Sequence, residues 1–397
     1  MIRKIGIVGG GPAGLYLALL VKRRRPDIEV RVLERSPADA TWGFGVVLAD
    51  GGLRQLAEAD PDSFAQIQAE LHPIPRQIFR VRGEDVPIDK ARSGGAIGRL
   101  ALLQILQGTC RALGVQLQFR TDVADLDVFE DCDVVVGADG SNSLVRERFS
   151  DAFGTRTRFL TNRFAWFGVD CAFDASHLNF KQLPGGGALC GHYYAYARDK
   201  STFVMECDAP TWDLLGFDRL TDTERRLKTQ AFFADELDGF ELVENNSIWR
   251  RFPVVTNERW HQGRYVLLGD ALRTAHFSIG SGTRMALEDA IALAAAVTGT
   301  STRDDAFETY VASRQGPMSK LASAAQGSFD WYERFSEKLD RLPPAELALS
   351  FLRRTGRIGD ERMVRDFPNF LTYAAARGAS GLPAAASQLH RTENASA

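Results

Sequence analysis

The sequence predicts a mixed α/β fold: a parallel sheet, an inserted antiparallel sheet and a helical C-terminal region. At the start, IRKIGIV reads as a strand, GGGPAG turns it into a helix, and EVRVLER reads as the next strand. This strand–helix–strand order is the unit of parallel sheets. Residues 160–255 are aromatic and alternating, as in ALCGHYYAYARDKSTFVMEC, which predicts an antiparallel sheet. After residue 283 the apolar spacing is mostly helical to about residue 375.

The segments between these regions complete the predicted order of elements. From residue 45 to 95 the apolar pattern loosens, with turns predicted at ADGG, HPIPR and SGG, and QIFRVRGEDVPI alternates like a hairpin. Residues 98–113 have helical spacing, and VQLQFRTDVADLDVF reads as strands. CDVVVGADG and RYVLLGD each read as a buried strand that ends in a turn. The last stretch, 376–397, lacks a core-forming pattern and is predicted to be disordered.

Composition narrows the class of protein. The 397 residues suit two or three domains, and the net charge of -3 gives no overall attraction to nucleic acid or to an anionic membrane. No apolar run is long enough for a membrane span, and the first residues do not form a signal peptide. The five cysteines are scattered without a CxxC pair, which indicates free thiols in a reducing compartment, and no metal-ligand pattern is present. We therefore expect a cytoplasmic monomer or homodimer with no nucleic-acid, membrane or metal partner.

The motif GGGPAG places three glycines in the G-x-G-x-x-G spacing of a dinucleotide-binding turn. The first allows the tight turn, the second lets the backbone approach a pyrophosphate, and the third lets helix and strand pack closely. The helix start offers free N–H groups to phosphates, and an acid after the second strand can bind the ribose hydroxyls. The alternative is a close-packed structural turn. The predicted cofactor-binding residues here are Gly9, Gly11, Pro12, Ala13, Gly14, Glu34 and Arg35.

Two later turns have features that suit the same ligand. Asp139 and Gly140 follow a core strand in DVVVGADGSNSLVR and can close over the cofactor, although a surface turn is the alternative. Asp270 ends YVLLGD at the carboxyl edge of a strand, where open α/β sheets bind ligands, and its carboxylate can accept hydrogen bonds from a sugar or polyol. Gly280 and Gly282 then let backbone N–H groups face a ligand, and Thr283 opens a helix whose positive end points back at them.

These three motifs, in this order, resemble the FAD-dependent aromatic hydroxylases, which are single-component flavoprotein monooxygenases. The resemblance runs from about residue 3 to about residue 300, and it assigns Arg99 in GRLALLQIL a contact with FAD. This sequence departs from the family pattern after the G-D pair, where Arg273, Phe277 and Arg284 replace a His, a Pro and an Asn. The segments WGFGVVLAD, STFVMEC and GDALRTAHFSIGSGT resemble a narrower subgroup, the salicylyl-CoA 5-hydroxylases and aminobenzoyl-CoA monooxygenases, which also includes an indole-pigment hydroxylase.

The resemblance implies an activity and a division into domains. FAD would be the cofactor, NAD(P)H a transient co-substrate, and O2 the oxidant, with a flavin C4a-hydroperoxide hydroxylating an electron-rich aromatic ring. In the subgroup, the substrate is mostly an aromatic acyl-CoA thioester. The expected domains are a Rossmann-like FAD-binding domain (1–75, 96–158 and 256–300), a substrate-binding antiparallel-sheet domain (76–95 and 159–255) and C-terminal helices (301–375).

Candidates for chemistry and substrate binding come from the same regions. His276 precedes the flavin-facing loop and His192 lies in an alternating strand, so either imidazole could take a proton from a phenol or activate an aniline. Each could instead be a hydrogen-bonded structural histidine, and an ortho hydroxyl can activate the ring without them. Aromatic side chains can form the pocket wall, and an arginine in PRQIFRVR can bind CoA phosphates. The substrate-binding candidates are Tyr194, Tyr196, Phe277 and Arg80.

Other functions remain open at this point. The substrate could be a free aromatic acid, an indole-derived intermediate or a non-benzenoid natural-product ring. The chain could also be another flavin enzyme, such as a reductase or a halogenase, although the halogenase motif W-x-W-x-I-P is absent from the sequence. A non-enzymatic binding protein that uses the FAD fold is the third alternative.

Overall fold

The computed structural model describes residues 1–90, 94–280 and 282–385. Its strands, in chain order, are Lys4–Val8 (β1), Glu29–Leu33 (β2), Gly45–Leu48 (β3), His72–Pro73 (β4), Gln77–Val81 (β5), Glu84–Pro87 (β6), Gly95–Gly98 (β7), Gln116–Gln118 (β8), Val134–Gly137 (β9), Arg156–Val169 (β10), Ser176–Gln182 (β11), Ala188–Ala197 (β12), Lys200–Cys207 (β13), Leu242–Val243 (β14), Arg250–Thr256 (β15), His261–Gln262 (β16) and Tyr265–Leu267 (β17).

The α-helices are Pro12–Arg24 (α1), Asp50–Ala59 (α2), Pro61–Glu70 (α3), Arg99–Ala112 (α4), Leu144–Arg148 (α5), Ser150–Phe153 (α6), Ala209–Leu215 (α7), Asp222–Phe232 (α8), Ala234–Leu237 (α9), Gly282–Gly299 (α10), Arg303–Tyr332 (α11), Phe335–Arg341 (α12), Pro344–Arg353 (α13), Asp360–Asp366 (α14) and Pro368–Ala376 (α15). Short 3-10 helices cover Leu126–Phe129, Phe217–Arg219, Gly269–Ala271 and Phe277–Ile279.

The first sheet has the order β16-β17-β9-β1-β2-β8 and is parallel except for β16. Helix α1 packs against α4 and α10 on this sheet, and its side chains from Leu15 to Val21 are buried on every face. Because β1, β2, β9 and β17 are parallel, their carboxyl ends meet at one edge of the sheet. The predicted cofactor turns follow these four strands, so the topology brings the turns together.

The second sheet has the order β14-β10-β13-β12-β11-β5-β6, with β15 paired to β10. Its pairs are antiparallel apart from β5 and β11. Helices α7 and α9 cover one face, with Trp212 and Leu237 packed against Phe203. The C-terminal helices cover the other face, with Trp331 and Phe351 packed against Phe79 and Phe180. A third, three-stranded sheet, β3-β7-β4, lies beside the second.

The mixed α/β fold class is confirmed, whereas three local predictions are wrong. ADGG begins helix α2 and is not a turn, since Gly51 and Gly52 are accepted in the first turn of that helix. VQLQFRTDVADLDVF forms one short strand, β8, and then a 3-10 helix capped by the Asp125 side chain. Helices α7–α9 interrupt the region assigned to strands.

The proposed domain boundaries stay a prediction. Of the tail that was expected to be disordered, residues 386–397 lie outside the described residues. In the described ranges, no helix has the length and apolar character that crossing a membrane requires. The same ranges contain no cluster of three or more His, Cys, Asp or Glu side chains able to hold a metal ion. All five cysteines are free thiols.

Candidate active site

The turn after β1 leaves room for a ligand at the start of α1. A Cβ atom at Gly14 would lie 2.2 Å from the carbonyl oxygen of Gly9, and one at Gly9 would lie 2.5 Å from that of Ala138, so both positions require glycine. A Cβ at Gly11 would meet no described atom within 4 Å. Pro12 and Ala13 open α1, whose N-terminus has no side-chain cap. The free N–H groups at this helix start suit an anion such as a pyrophosphate.

Glu34 lies beside this turn. Its Oε2 accepts a hydrogen bond from the Gly10 N–H at 2.7 Å, and its Oε1 accepts one from the Ser36 N–H at 2.7 Å. The next residue, Arg35, is exposed. The Glu34 carboxylate is therefore held at the edge of the glycine turn. Its remaining lone pairs can accept hydrogen bonds from the hydroxyl groups of a ribose.

Asp139 follows β9 and presents a carboxylate oxygen without a partner. Its Oδ2 accepts a hydrogen bond from the Leu144 N–H at 2.6 Å, while Oδ1 is buried and finds no hydrogen-bond partner among the described residues. Burial raises the pKa of Asp139, and hydrogen bonds from Ser143 and nearby backbone groups oppose the rise. The adjoining Gly140 has φ +80° and would meet no described atom if it carried a Cβ. An oxygen left unsatisfied here suits a polar ligand.

Asp270 and Arg99 form an oppositely charged pair beside the turns. Asp270 is exposed to solvent but crowded by protein atoms, and this desolvation raises its pKa although Arg99 opposes the rise. The Arg99 Nε is buried and has no hydrogen-bond partner in the described ranges. A Cβ at Gly269 would lie 3.4 Å from the Cβ of Ala13, so the first and third turns meet. These donors and acceptors fit an extended, hydroxyl-bearing nucleotide such as FAD.

The third turn ends at the start of α10. Gly280 follows the 3-10 helix Phe277–Ile279 with φ +56°, and it is exposed, with no described atom within 4 Å of an added Cβ. Gly282 and Thr283 begin α10, and residue 281 lies outside the described residues. The backbone of this turn is thus accessible, and a helix N-terminus faces the same side.

His276 precedes the turn from Phe277 to Gly280, and its side chain points into the protein, with 2% of its surface exposed. The Ser278 N–H lies 3.3 Å from its Nδ1, and the Ser278 Oγ lies 2.8 Å away. A backbone N–H can only donate, so Nδ1 is an acceptor and the ring hydrogen lies on Nε2. Burial lowers the pKa of His276 to about 4, which keeps the imidazole neutral at pH 7. This arrangement favours an anchoring role for His276 over proton uptake.

His192 lies on β12 near Phe277, whose ring centroid is 5.4 Å away. Its Nε2 is 3.5 Å from the Glu206 Oε2 and 3.3 Å from the Cys190 Sγ. Glu206 is buried, and burial raises its pKa. The contact with His192 and the hydrogen bond from the Asn162 side chain oppose burial, and the net shift of the Glu206 pKa is downward. Sequence reasoning missed Glu206, although an acid among the apolar residues of STFVMEC was an available signal.

The substrate-binding candidates separate into two groups. Phe277 lies 4.9 Å from the Phe164 ring, on the sheet face that carries His192. The Tyr194 hydroxyl donates to the Gly45 carbonyl at 3.0 Å, and Tyr196 packs against Gly45 and Gly98, so both lie where this sheet meets β3 and β7.

Arg80 is not brought to this group of side chains. It is in register with Asn179, whereas Phe79 is in register with Leu178, and side chains alternate along a strand. Phe79 faces the C-terminal helices, so Arg80 faces the opposite side, where Asp85 pairs with it at 2.5 Å. The sequence showed that side chains alternate between the two faces of this strand, but it did not show which face lies next to the site.

The family departures at Arg273 and Arg284 are explained by ion pairs. Arg273 donates to the buried Asp289 at 2.7 Å, and Arg314 donates to the same carboxylate at 2.9 Å. Asp289 also accepts a hydrogen bond from the Gly269 N–H at 3.3 Å. The network therefore holds the backbone of the Gly269–Asp270 turn from the interior of the protein. Arg284 pairs with Glu288 at 3.1 Å. Asp289 was not identified from the sequence because its partners are distant along the chain.

Comparisons with known proteins agree with this geometry. A family model described as an FAD binding domain matches residues 114–325. The salicyloyl-CoA 5-hydroxylase of a Streptomyces species is 37% identical over 89% of this chain and 70% of its own length. The 3-hydroxy-4-methyl-anthranilyl-[aryl-carrier protein] 5-monooxygenase of Streptosporangium sibiricum is 34% identical over 84% of this chain and 90% of its own length. The tetrameric form of 2-methyl-3-hydroxypyridine-5-carboxylic acid oxygenase has the same fold, with a TM-score of 0.68 and 18% identity over 91% of this chain and 95% of that chain.

Proposed function

Because this chain belongs to the FAD-dependent aromatic hydroxylases, which are flavoprotein monooxygenases, we propose that it uses NAD(P)H and O2 to hydroxylate an aromatic acyl thioester. The enzyme class and the FAD cofactor follow from the family. The nicotinamide donor, the thioester and the residue roles are the proposal.

One observation carries the assignment of the cofactor site. Turns that follow β1, β2, β9 and β17 meet at one edge of the parallel sheet. The Asp139 Oδ1 in one of these turns and the Arg99 Nε at the start of α4 have no hydrogen-bond partners among the described residues. The backbone N–H groups at Gly11 and Gly140 would hold the pyrophosphate, and the Asp139 carboxylate would accept a hydrogen bond from a donor group of the cofactor. Glu34 would hold the adenosine ribose, and Asp270 the ribityl hydroxyls. When bound, FAD would supply electron uptake from NAD(P)H and transfer of one oxygen atom from O2.

The side chains facing this site would hold and shield the substrate. Phe164 and Phe277 form an aromatic wall next to His192, and the C-terminal helices close the other side. Such a wall excludes water, which protects reactive flavin species from decay. The buried Glu206 lies 3.5 Å from the His192 Nε2, so we assign this pair, and not the buried His276, the role of accepting the proton of a ring hydroxyl or amine.

The thioester part of the proposal is supported by the two relatives. In both of their names the aromatic acyl group is attached to a carrier, which is CoA in one and an aryl-carrier protein in the other. Arg80 is not used in this proposal, because it lies on the opposite sheet face and is paired with Asp85.

The test is a substrate panel with the FAD-loaded protein. Hydroxy- and aminobenzoyl-CoA esters are compared with their free acids, and NADH is compared with NADPH. We expect the esters to accelerate flavin reduction and to give a product heavier by one oxygen atom. Equal responses to acids and esters would remove the thioester assignment, and NAD(P)H oxidation without an oxygenated product would remove the hydroxylase assignment.

A further inference from the structure

We propose that Arg354, which follows helix α13, is a positioning residue for the turn from Phe277 to Gly280, and that its positive charge favours the reduced form of a flavin bound beside that turn. This inference rests on the proposed function, because it takes this turn to be the one that faces the flavin. Arg354 lies outside the three cofactor motifs of the sequence.

The Arg354 guanidinium is fixed by three hydrogen bonds. Its Nη2 donates to the Ser278 carbonyl at 2.8 Å, its Nε to the Ser328 Oγ at 3.1 Å, and its Nη1 to the Phe351 carbonyl at 2.8 Å. The guanidinium also stacks on the Phe351 ring, 3.7 Å from the centroid. It therefore ties two C-terminal helices directly to the backbone of the turn.

A chain of hydroxyl groups extends this link to His276. Because the Ser278 hydroxyl donates to the His276 Nδ1, its oxygen is free to accept from Ser328, whose Oγ lies 3.0 Å away. Ser328 in turn accepts from Arg354. The direction of every bond is set by Arg354 at one end, since a guanidinium has donors and no acceptor. Arg354 thus fixes the residues on both sides of Phe277.

The charge of Arg354 has no counter-ion among the described residues. Its printed polar partners are the Ser328 hydroxyl and the Phe351 and Ser278 carbonyls, none of them a carboxylate. Burial lowers the pKa of Arg354, although an arginine stays protonated at any physiological pH. Nearby, Arg284 is neutralised by Glu288, while Arg357 has no paired carboxylate in the described ranges. Reduced flavin is anionic, so an uncompensated cation held at the turn stabilises it relative to oxidised flavin.

The experiment measures the midpoint potential and the dissociation constant of bound FAD, without substrate and without oxygen. Arg354→Gln removes the charge. Arg354→Lys keeps the charge but loses the several N–H donors of the guanidinium. Ser328→Ala breaks the chain of hydroxyl groups. Arg353→Gln is the matched control, because Arg353 bonds to Asp360 and the Gly381 carbonyl and not to the turn.

We expect Arg354→Gln to make the potential more negative, with a loss of at least about threefold in the affinity for reduced over oxidised FAD. Arg354→Lys and Ser328→Ala should keep the potential and weaken binding of both forms, and Arg353→Gln should change neither quantity. If Arg354→Gln does not fold, Arg354→Met, which keeps the apolar stem on Phe351, replaces it.

A potential for Arg354→Gln equal to that of Arg353→Gln would overturn the electrostatic part, and unchanged FAD affinity in Ser328→Ala would overturn the positioning part. Because no substrate is present, a failure to hydroxylate any aromatic thioester would reject the proposed function without changing either result.

Discussion

Two alanine substitutions in the first glycine turn should have opposite consequences for stability and cofactor binding. A Cβ at Gly14 collides with the Gly9 carbonyl oxygen at 2.2 Å, and neither backbone segment can move freely. Forcing a methyl group into such a packed place costs about 1–3 kcal/mol. A Cβ at Gly11 has no described neighbour within 4 Å, and Gly11 has φ -74° and ψ 177°, which alanine also adopts. Its loss of stability should stay below about 1 kcal/mol, the difference between Gly and Ala at a helix N-cap.

The methyl group of Gly11→Ala would instead occupy space that the pyrophosphate needs. We expect urea unfolding of the cofactor-free Gly11→Ala protein to resemble that of the wild type, with FAD affinity at least about tenfold weaker, equal to 1.4 kcal/mol. Gly14→Ala should lose stability even without FAD. FAD titration followed by flavin fluorescence measures the first effect. Wild-type FAD affinity in Gly11→Ala would refute the placement of the pyrophosphate at this turn.

The other predictions concern buried charges and the assignment of roles. Asp289→Asn should lower the free energy of unfolding by about 3–5 kcal/mol, because two arginines lose a buried partner, whereas the exposed Asp304→Asn should change it by less than about 0.5 kcal/mol; urea unfolding measures both. Because the folded-state pKa of His276 is about 4, its neutral form stabilises the fold above pH 6.5, and this contribution is lost as the pH falls from 6.5 to 4. The loss amounts to at most about 3 kcal/mol, so His276→Gln should flatten the decline in stability between pH 7 and pH 4.5, and an unchanged slope would contradict the assignment. Arg80→Ala should keep the KM for a thioester substrate within about twofold, and a large rise in KM would restore its predicted contact with CoA.

The sequence predicted that the three turns would lie together because the signals for them are local. Gly9, Gly11 and Gly14 lie within one turn, and strand order then places Asp139 and Asp270 at the same sheet edge. The tight turn that requires these glycines is also the turn that a dinucleotide phosphate would approach, so a short sequence pattern is informative.

What the sequence did not show depends on partners that are distant along the chain. The Glu206–His192 contact requires the pairing of β12 with β13, and the Arg354–Ser278 hydrogen bond joins the region after α13 to the third turn. The face on which Arg80 lies was also undetermined, because alternation along a strand fixes the two faces but not what covers each of them. Helix α2 was missed because two glycines in its first turn resemble a loop.

The strands that form the sheet edge with the cofactor turns come from distant parts of the chain, and this affects how the newly made protein folds. Strand β1 pairs Ile5 with Val134, and β9 pairs Val135 with Tyr265, so neighbouring strands of the edge are made at widely separated times during translation. With the cofactor site proposed above, a nascent chain cannot capture the nucleotide until the second sheet has emerged from the ribosome and the segment through Thr283 has followed it. Such non-local pairing slows folding and leaves apolar strands exposed in the meantime.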